Sequence, residues 1–191
     1  MINCQQNIKT SGAYVLYRGM FAFQVGPTKN GDKLGVVRLG GHREKDETAL
    51  ETAKREVYEE ASIYITPVSS PITYYKNEWN DRHTTIQVKD KIAPILIKGN
   101  VKKSLSIMYL SHSDIEPKPS SESNGILLLT PEDVHLICHE KITLKEFISQ
   151  NGTSILKNTI NKDLLLHPFP QLVFLSRLLK EQPNFINTWV F

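Results

Sequence analysis

Long apolar runs, cysteines and an excess of one charge are all scarce in this sequence of 191 residues. No stretch approaches the roughly 18 consecutive apolar residues that a membrane-spanning helix needs. The two cysteines, Cys4 and Cys138, are too few and too far apart for a disulfide framework. The formal net charge of +3 is too small to indicate a nucleic-acid or membrane partner. The polar amino terminus lacks the apolar core of a signal peptide, so we expect a cytoplasmic protein.

The remaining composition is typical of one globular domain. Apolar residues make up 40% of the chain and charged residues 23%, and the length is sufficient to bury a sizeable core. Alternating apolar residues predict two strands over 13–25, hinged near Gly19, and a β-rich stretch over 72–112. A strand over 125–130 precedes a short helix, and leucines at helical spacing predict another helix over 171–180. This order predicts an α/β or α+β domain with a helical end.

The clearest helix begins after Thr48 and runs to about Ala61. Thr48 and Glu51 form a capping-box pattern at its start. Near its end, three carboxylates share one face: Glu56, Glu59 and Glu60. Like charges at these spacings repel by a few tenths of a kcal/mol per pair, and a hard divalent cation such as Mg²⁺ would turn that repulsion into attraction. The alternative is an ordinary solvated acidic face.

A glycine pair stands before this helix. Gly40 and Gly41 follow a short strand that ends at Leu39, and a charged loop then leads into the helix. A strand, a glycine-rich loop and a helix in this order bring backbone groups close to a phosphate-sized ligand. Arg55 stands four residues before Glu59, a spacing at which it can hold that carboxylate in place.

The segment from Gly41 to Ile63 resembles the Nudix box, the signature of the Nudix hydrolases, written G-x5-E-x7-R-E-U-x-E-E-x-G-U with U a bulky apolar residue. Two positions depart from the family pattern. Ser62 stands where a glycine is usual, just past the helix end, and Leu39 stands where many members have proline. We expect Ser62 to cost about 1 kcal/mol of local strain without removing a ligand. The matching positions are Gly41, Glu47, Arg55-Glu56-Val57, Glu59-Glu60 and Ile63.

The resemblance implies a fold, an activity and a site. The fold would be an α-β-α sandwich with a mixed sheet over residues 1–145, followed by a C-terminal helical extension over 146–191. The activity would be hydrolysis of the pyrophosphate of a nucleoside diphosphate linked to another moiety, with Mg²⁺ or Mn²⁺. Glu47 and Arg55 would orient the loop and the glutamates. The implied metal ligands are Glu56, Glu59, Glu60 and the carbonyl of Gly40.

Other site roles stay open at this point. The resemblance gives two candidates for the general base, Glu56 and Glu122. Glu122 lies in the loop before the predicted strand over 125–130, and the alternative for it is an ordinary acidic residue of a polar loop. Arg38 and Gly41 are candidates for binding the substrate phosphates, as is His42 beside the glycine pair, although Arg38 and His42 are equally consistent with ordinary surface positions. A stacking surface for a base is a further hypothesis, against the alternative of core packing, for Tyr74, Tyr75 and Trp79.

Two alternative functions accompany the hydrolase. One is a non-catalytic nucleotide-binding sensor with the same fold; the three glutamates argue against it. The other is an isomerase acting on isoprenoid diphosphates, which would need a reactive cysteine, and the sequence places neither Cys4 nor Cys138 in a pocket. A zinc site at His135, Cys138 and His139 lacks a fourth ligand nearby. Residues 146–191 could pack on the domain, cover the pocket or mediate a homodimer. The expected binding partner of the protein is a nucleotide-derived small-molecule substrate.

Overall fold

A mixed β-sheet runs through the middle of the computed structural model, which describes residues 7–157, 159–185 and 189. The strands in this part of the chain are β1 (Ile8–Tyr17), β2 (Met20–Pro27), β3 (Leu34–Val37), β4 (Leu39–His42), β5 (Thr66–Val68), β6 (Thr73–Lys76), β7 (Thr84–Ile86), β8 (Leu96–Asn100), β9 (Ser104–His112), β10 (Gly125–Leu129), β11 (Thr153–Leu156) and β12 (Leu166–Pro168). The helices are α1 (Ala49–Ala61), α2 (Pro131–His139), α3 (Leu144–Ser149) and α4 (Pro170–Glu181).

The central strand of the sheet is β1. It pairs antiparallel with β2 and parallel with β9, and the order along the main path is β11-β10-β2-β1-β9-β8-β6-β7. β4 also pairs antiparallel with β1, with Thr10 opposite His42 and Ala13 opposite Leu39. This pairing brings the glycine pair onto the middle of the sheet, so the loop that follows it leaves from a fixed position.

Two hydrophobic clusters lie on opposite faces of the sheet. One contains the apolar stripe of α1, including Ala53 and Val57, packed on alternate residues of β1 and β9. The other contains α2 and α4, whose buried Val134 and Leu175 pack on the opposite side chains of the same strands. Helices on both faces of a mixed sheet form an α-β-α sandwich, which confirms the predicted fold class.

The local predictions are confirmed for most elements. The two strands over 13–25 are β1 and β2, joined by a turn at Gly19 with φ 79°. Thr48 caps α1, and the capping box with Glu51 is complete. The predicted helix over 171–180 is α4. None of the helices in the described part of the chain is long and apolar enough to cross a membrane.

The C-terminal helical extension predicted over 146–191 contains two strands as well as a helix. α4 is present, but β11 pairs antiparallel with β10 and β12 pairs parallel with β3, so this segment adds two strands to the sheet. Both strands are only three or four residues long, too short to show a period of two in the sequence. Their formation is explained by β10 and β3, whose backbone groups they satisfy. The boundary at residue 145 stays a prediction.

Candidate active site

Arg55 is the centre of a hydrogen-bonded cluster at the start and middle of α1. Its Nε donates to Glu47 Oε1 at 2.7 Å and its Nη2 to Glu47 Oε2 at 3.0 Å. Its Nη1 donates to Glu56 Oε1 at 2.9 Å and to Glu59 Oε2 at 2.7 Å, and Nη2 also reaches the His42 carbonyl at 2.9 Å. Hydrogen bonds to these carboxylates, led by that of Glu47, raise the pKa of Arg55. One guanidinium thus connects the loop after the glycine pair to two of the three clustered glutamates.

Glu47 fastens the loop to the helix. Besides Arg55, its Oε2 accepts from Thr52 Oγ1 at 2.9 Å and from the Glu44 amide at 3.0 Å. The Arg55 hydrogen bond is the main cause that lowers the pKa of Glu47 to about 2, so its carboxylate is ionised at neutral pH. Arg55 therefore lies against three carboxylates, those of Glu47, Glu56 and Glu59, with one positive charge of its own.

The glycine pair lies against the other side of α1. A side chain at position 41 would collide with the Glu56 carboxylate, so glycine is required for this close approach. The Gly40 amide donates to Glu60 Oε2 at 2.7 Å, and its φ of 143° is a conformation that residues with a side chain rarely adopt. The backbone of β4 and the carboxylates of α1 are therefore in direct contact.

Glu60 is half-buried and its charge is poorly compensated. Burial raises its pKa to about 7; hydrogen bonds from Gly40 and Gln24 oppose this, and the neighbouring Glu56 carboxylate adds to it. A carboxylate with a raised pKa next to other carboxylates is a position at which a cation would be stabilising.

The side chains fit a hard divalent cation by chemistry but are not gathered around one point. Among the residues that the structure describes, no group of three or more His, Cys, Asp or Glu side chains is placed to hold a metal ion. The reason is visible in the contacts, because Glu56 and Glu59 turn to Arg55 while Glu60 turns to the Gly40 amide. Metal binding would use the oxygens of Glu56 and Glu59 that Arg55 does not hold, and it would require Glu60 to turn away from the Gly40 amide.

A cavity of about 350 Å³, here called the front chamber, opens next to the glycine pair. It is lined on several sides by cations and amides from β1, β8 and α4. Arg38, between β3 and β4, reaches it with a side chain only 7% exposed, whose Nε and Nη1 have no hydrogen-bond partner. Burial lowers the pKa of Arg38, and the nearby Glu60 carboxylate is the main opposing influence. The residues of the front chamber that matter below are Lys9, Arg38, His42, Trp79, Lys98 and Gln171.

The three aromatic residues proposed for stacking are separated by the structure. Tyr74 is 3% exposed and belongs to the hydrophobic core, so it cannot stack on a ligand in the front chamber. Tyr75 donates its hydroxyl to the Gly99 carbonyl at 2.8 Å. Trp79 does line the front chamber, with Lys98 Nζ 6.0 Å from the centre of its ring. Tyr74 and Tyr75 are successive residues of β6, so their side chains point to opposite faces of the sheet. Trp79 lies in the segment after β6 and is not bound by that alternation.

Glu122 lies in a loop held against the end of α1. Ser123 Oγ and the Ser120 amide both donate to the Glu60 carbonyl, at 2.7 and 3.3 Å. The Glu122 side chain is exposed, and its role as a base stays a prediction.

The histidine and cysteine candidates lie elsewhere. His135 Nδ1 is 2.8 Å from Ser176 Oγ, between α2 and α4, and burial raises the pKa of Cys138 there to about 11. That interface is on the face of the sheet opposite to α1. Cys4 lies outside the described residues.

Sequence reasoning missed several residues of the site. Lys9 and Lys98 line the front chamber from β1 and β8, Gln24 of β2 contacts Glu60, and Gln171 comes from α4. Polar residues inside strongly apolar strands are the one sequence signal that marks Gln24 and Lys98. Nothing local marks Gln171, because its place depends on how α4 packs on the sheet.

Ser62 adopts the left-handed conformation that its position in the pattern predicts. It is the C-cap of α1 with φ 56° and ψ 33°, and its amide donates to the Tyr58 carbonyl at 2.9 Å. The helix therefore ends where a glycine would end it, with a side chain in a backbone conformation that favours glycine.

Comparison with known proteins gives a likeness in structure only. No protein-family model matches the sequence, and no curated protein matches it. A possible asymmetric diadenosine tetraphosphate hydrolase from Jonesia denitrificans superposes with a TM-score of 0.53 at 10% identity, over 92% of this chain and 94% of that chain. A NUDIX hydrolase from Nitrosomonas europaea gives a TM-score of 0.49 at 16% identity, over 94% of this chain and 74% of that chain. A NUDIX-family hydrolase from Clostridium perfringens gives a TM-score of 0.47 at 19% identity, over 67% of this chain and 84% of that chain. The chain shares its fold with the Jonesia denitrificans protein.

Proposed function

We propose that this protein is a divalent-cation-dependent hydrolase that cleaves the diphosphate of a nucleoside diphosphate linked to another moiety. The observation that carries the proposal is the position of Arg38, which lies against Gly40 between an acidic cluster and the cationic front chamber. The acidic cluster is Glu56, Glu59 and Glu60. Arg38 lines the front chamber and also interacts with Glu60 and Glu56, so the two charged regions adjoin.

The acidic cluster and the Gly40 carbonyl are the groups that would hold Mg²⁺ or Mn²⁺. When bound, such a cation neutralises diphosphate charge and lowers the pKa of a coordinated water. Arg55 keeps Glu56 and Glu59 within a common reach by holding one oxygen of each, at 2.9 and 2.7 Å. Arg55 and Glu47 are thus positioning residues for the cluster.

The front chamber supplies the positive charge that a diphosphate needs on its other side. Lys9, Arg38 and Lys98 offer cationic donors there, and Arg38 has two buried nitrogens that no protein group satisfies. A phosphate oxygen is a strong acceptor for such donors. Substitution at phosphorus depends mainly on positioning and charge neutralisation, which this arrangement can provide.

The proton of the attacking water is assigned to Glu56 or Glu122. Glu56 lies against Gly41 with its side chain 13% exposed, which favours it by position. Glu122 is exposed in a loop hydrogen-bonded to the end of α1, so that a movement of this loop would be needed to bring it to the site. Comparing the turnover of Glu56→Gln and Glu122→Gln decides between them.

The test is a panel of substrates with two metals. Nucleoside triphosphates, ADP-ribose-type sugars and dinucleoside polyphosphates, the last being the substrate class in the description of the Jonesia denitrificans neighbour, are incubated with Mg²⁺, Mn²⁺ or EDTA. Glu59→Gln should lower turnover at least about 100-fold, and EDTA should abolish it. Glu44→Gln, in the same loop region but with its carboxylate outside the cluster, is the matched control and should keep full turnover.

A nucleotide-binding sensor is the second candidate, favoured by the fact that Glu56 and Glu59 already form ion pairs with Arg55. Nucleotide binding by a folded protein, without turnover of any substrate under either metal, would support the sensor and reject the hydrolase. The isomerase alternative has no cysteine near the site among the described residues, since Cys138 lies between α2 and α4. A cytoplasmic location and a nucleotide-derived partner belong to the proposal as well.

A further inference from the structure

A second cavity of about 340 Å³, here called the rear chamber, lies between the segment after β6 and helix α4. Its walls combine cationic and aromatic groups, and Trp79 is a lining residue that it shares with the front chamber. The volume is at the lower end of the range found for small-molecule sites. The residues that characterise it are Lys76, Trp79, His167, Phe174 and Arg177.

Lys76 is the most unusual of these residues because it is only 4% exposed. Its ammonium group donates to the Trp79 carbonyl at 2.5 Å, and an ammonium has three hydrogens to donate. Burial lowers the pKa of Lys76, and the Arg177 guanidinium lowers it further, with Asp81 opposing both. Two cations that repel each other at the wall of one cavity would both be stabilised by an anion between them.

No acidic residue in the described part of the chain lines the rear chamber, and Asp81 is the carboxylate that opposes the two cations at Lys76. Asp81 Oδ2 accepts from the Glu78 amide at 2.8 Å, and the Glu78 carboxylate pairs with Lys98 at 3.1 Å. On α4, the Glu181 carboxylate lies 3.9 Å from His83. The rear chamber therefore keeps a positive wall at Lys76 and Arg177.

Trp79 forms a partition between the two chambers, since it lines both. Lys76 and Lys98 are direct partners in the parallel register of β6 and β8, so their backbones lie side by side. Lys76 holds the Trp79 backbone from the rear chamber, while Lys98 lies 6.0 Å from its ring and lines the front chamber. Each chamber thus has one lysine at Trp79, Lys76 at its backbone carbonyl and Lys98 at its ring.

We propose that the rear chamber binds a nucleoside monophosphate group, with its phosphate at Lys76 and Arg177 and its base against Trp79. The charged end matches the two cations, and a flat ring matches the half-buried indole of Trp79, whereas Phe174 is 5% exposed and closes the chamber on the core side. The group has two potential sources: a free nucleotide that acts as an effector, or the distal half of a substrate whose diphosphate lies in the front chamber. Binding in the rear chamber does not depend on the proposed hydrolysis.

The probe is adenosine 5′-monophosphate, which has no diphosphate to cleave. Calorimetric titration of the full chain in EDTA should give a dissociation constant below about 1 mM. Ribose 5-phosphate, which lacks the ring, should bind at least about tenfold more weakly because base stacking is lost. Absence of binding at about 5 mM AMP would overturn the proposal.

Arg177→Gln and Lys180→Gln form a matched pair, because each removes one positive charge from the exposed side of α4 and only Arg177 lines the rear chamber. Arg177→Gln should weaken AMP binding about tenfold, whereas Lys180→Gln should change it less than twofold. Equal losses in the two variants would show a non-specific charge effect and reject the site. A loss with Lys98→Gln but not with Arg177→Gln would place the nucleotide in the front chamber and reject it as well.

Steady-state kinetics then separate the two sources if the panel identifies a substrate. Competitive inhibition by AMP, with a higher KM in Arg177→Gln and an unchanged kcat, would support the distal half of the substrate. A change in kcat on AMP addition, abolished by Arg177→Gln, would support an effector. If no substrate is turned over, the calorimetric result still decides the binding proposal, so its failure and the failure of the proposed function are distinguishable.

Discussion

The raised pKa of Glu60 makes the stability of the metal-free protein depend on pH in a direction opposite to that of an ordinary ion-paired carboxylate. Burial shifts this pKa from 4.5 to about 7 in the folded state. Protonated Glu60 therefore favours the folded state fully below about pH 4.5, and this contribution is lost as the pH rises through 7. One pKa unit corresponds to about 1.4 kcal/mol, so the loss is at most about 3 kcal/mol.

The perturbation that isolates this contribution is Glu60→Gln. A glutamine keeps an oxygen that can accept from the Gly40 amide, now 2.7 Å from Glu60 Oε2, but it carries no charge at any pH. Between pH 5 and 8 in EDTA, the wild-type protein should lose up to about 3 kcal/mol of unfolding free energy relative to the variant. Urea titrations followed by circular dichroism at one-unit pH steps measure both, with Glu44→Gln as a control that should follow the wild type.

Addition of Mg²⁺ provides the second half of the test. If the proposed metal site exists with a dissociation constant of about 1 mM, 10 mM Mg²⁺ should stabilise the wild type at pH 8 by about 1.4 kcal/mol and the variant clearly less. Parallel pH profiles for wild type and Glu60→Gln would refute the argument about burial at Glu60. Equal stabilisation of both by Mg²⁺ would refute Glu60 as a ligand while leaving the pH argument intact.

Three other changes test separate parts of the site. Ser62→Gly removes a Cβ from a backbone with φ 56°, so it should raise the melting temperature by about 1–4 °C in a thermal scan; Ser62→Ala keeps the strain, and an equal gain there would contradict this reason. Arg55→Met removes the main cause that lowers the pKa of Glu47 to about 2. Ionised Glu47 stabilises the folded protein above about pH 4.5, and this contribution is lost as the pH falls through 2. Stability at pH 7 should therefore drop by about 1–2 kcal/mol after allowance for solvent screening, with little loss left at pH 2, and an equal loss at both pH values in urea titrations would count against it. Gly41→Ala places a methyl group against the Glu56 carboxylate, so turnover of a substrate should fall at least about tenfold while the urea midpoint changes little; unaltered turnover would show that Glu56 is free to move.

The parts of the fold that were predictable are those with local signals. α1 could be bounded from the sequence because a capping box, an apolar stripe and the position of Ser62 all mark it within one segment. The ion pair between Arg55 and Glu59 follows from their spacing of four residues. By contrast, β11 and β12 carry no period of their own, and their pairing partners lie far away in the sequence.

The chambers could not be predicted for the same physical reason. Their walls come from β1, β8, the segment after β6 and α4, and the contacts among these depend on tertiary packing. Tyr74 and Trp79 show the limit clearly: both are aromatic residues in one short stretch, yet the first is in the core and the second forms the partition. Tyr74 lies within β6 and Trp79 in the segment after it, and this difference decides their roles. The composition of the stretch does not show where the strand ends.

The distribution of charge explains why one glycine pair can serve both sides of the site. Arg55 carries one positive charge among the carboxylates of Glu47, Glu56 and Glu59, so that side stays net negative and suited to a cation. The front chamber is net positive through its cationic side chains and is suited to an anion. A glycine pair without side chains lets the two regions approach without a screening layer between them. A ligand that brings its own divalent cation to a diphosphate would match both halves at once, whereas a neutral ligand would leave both uncompensated.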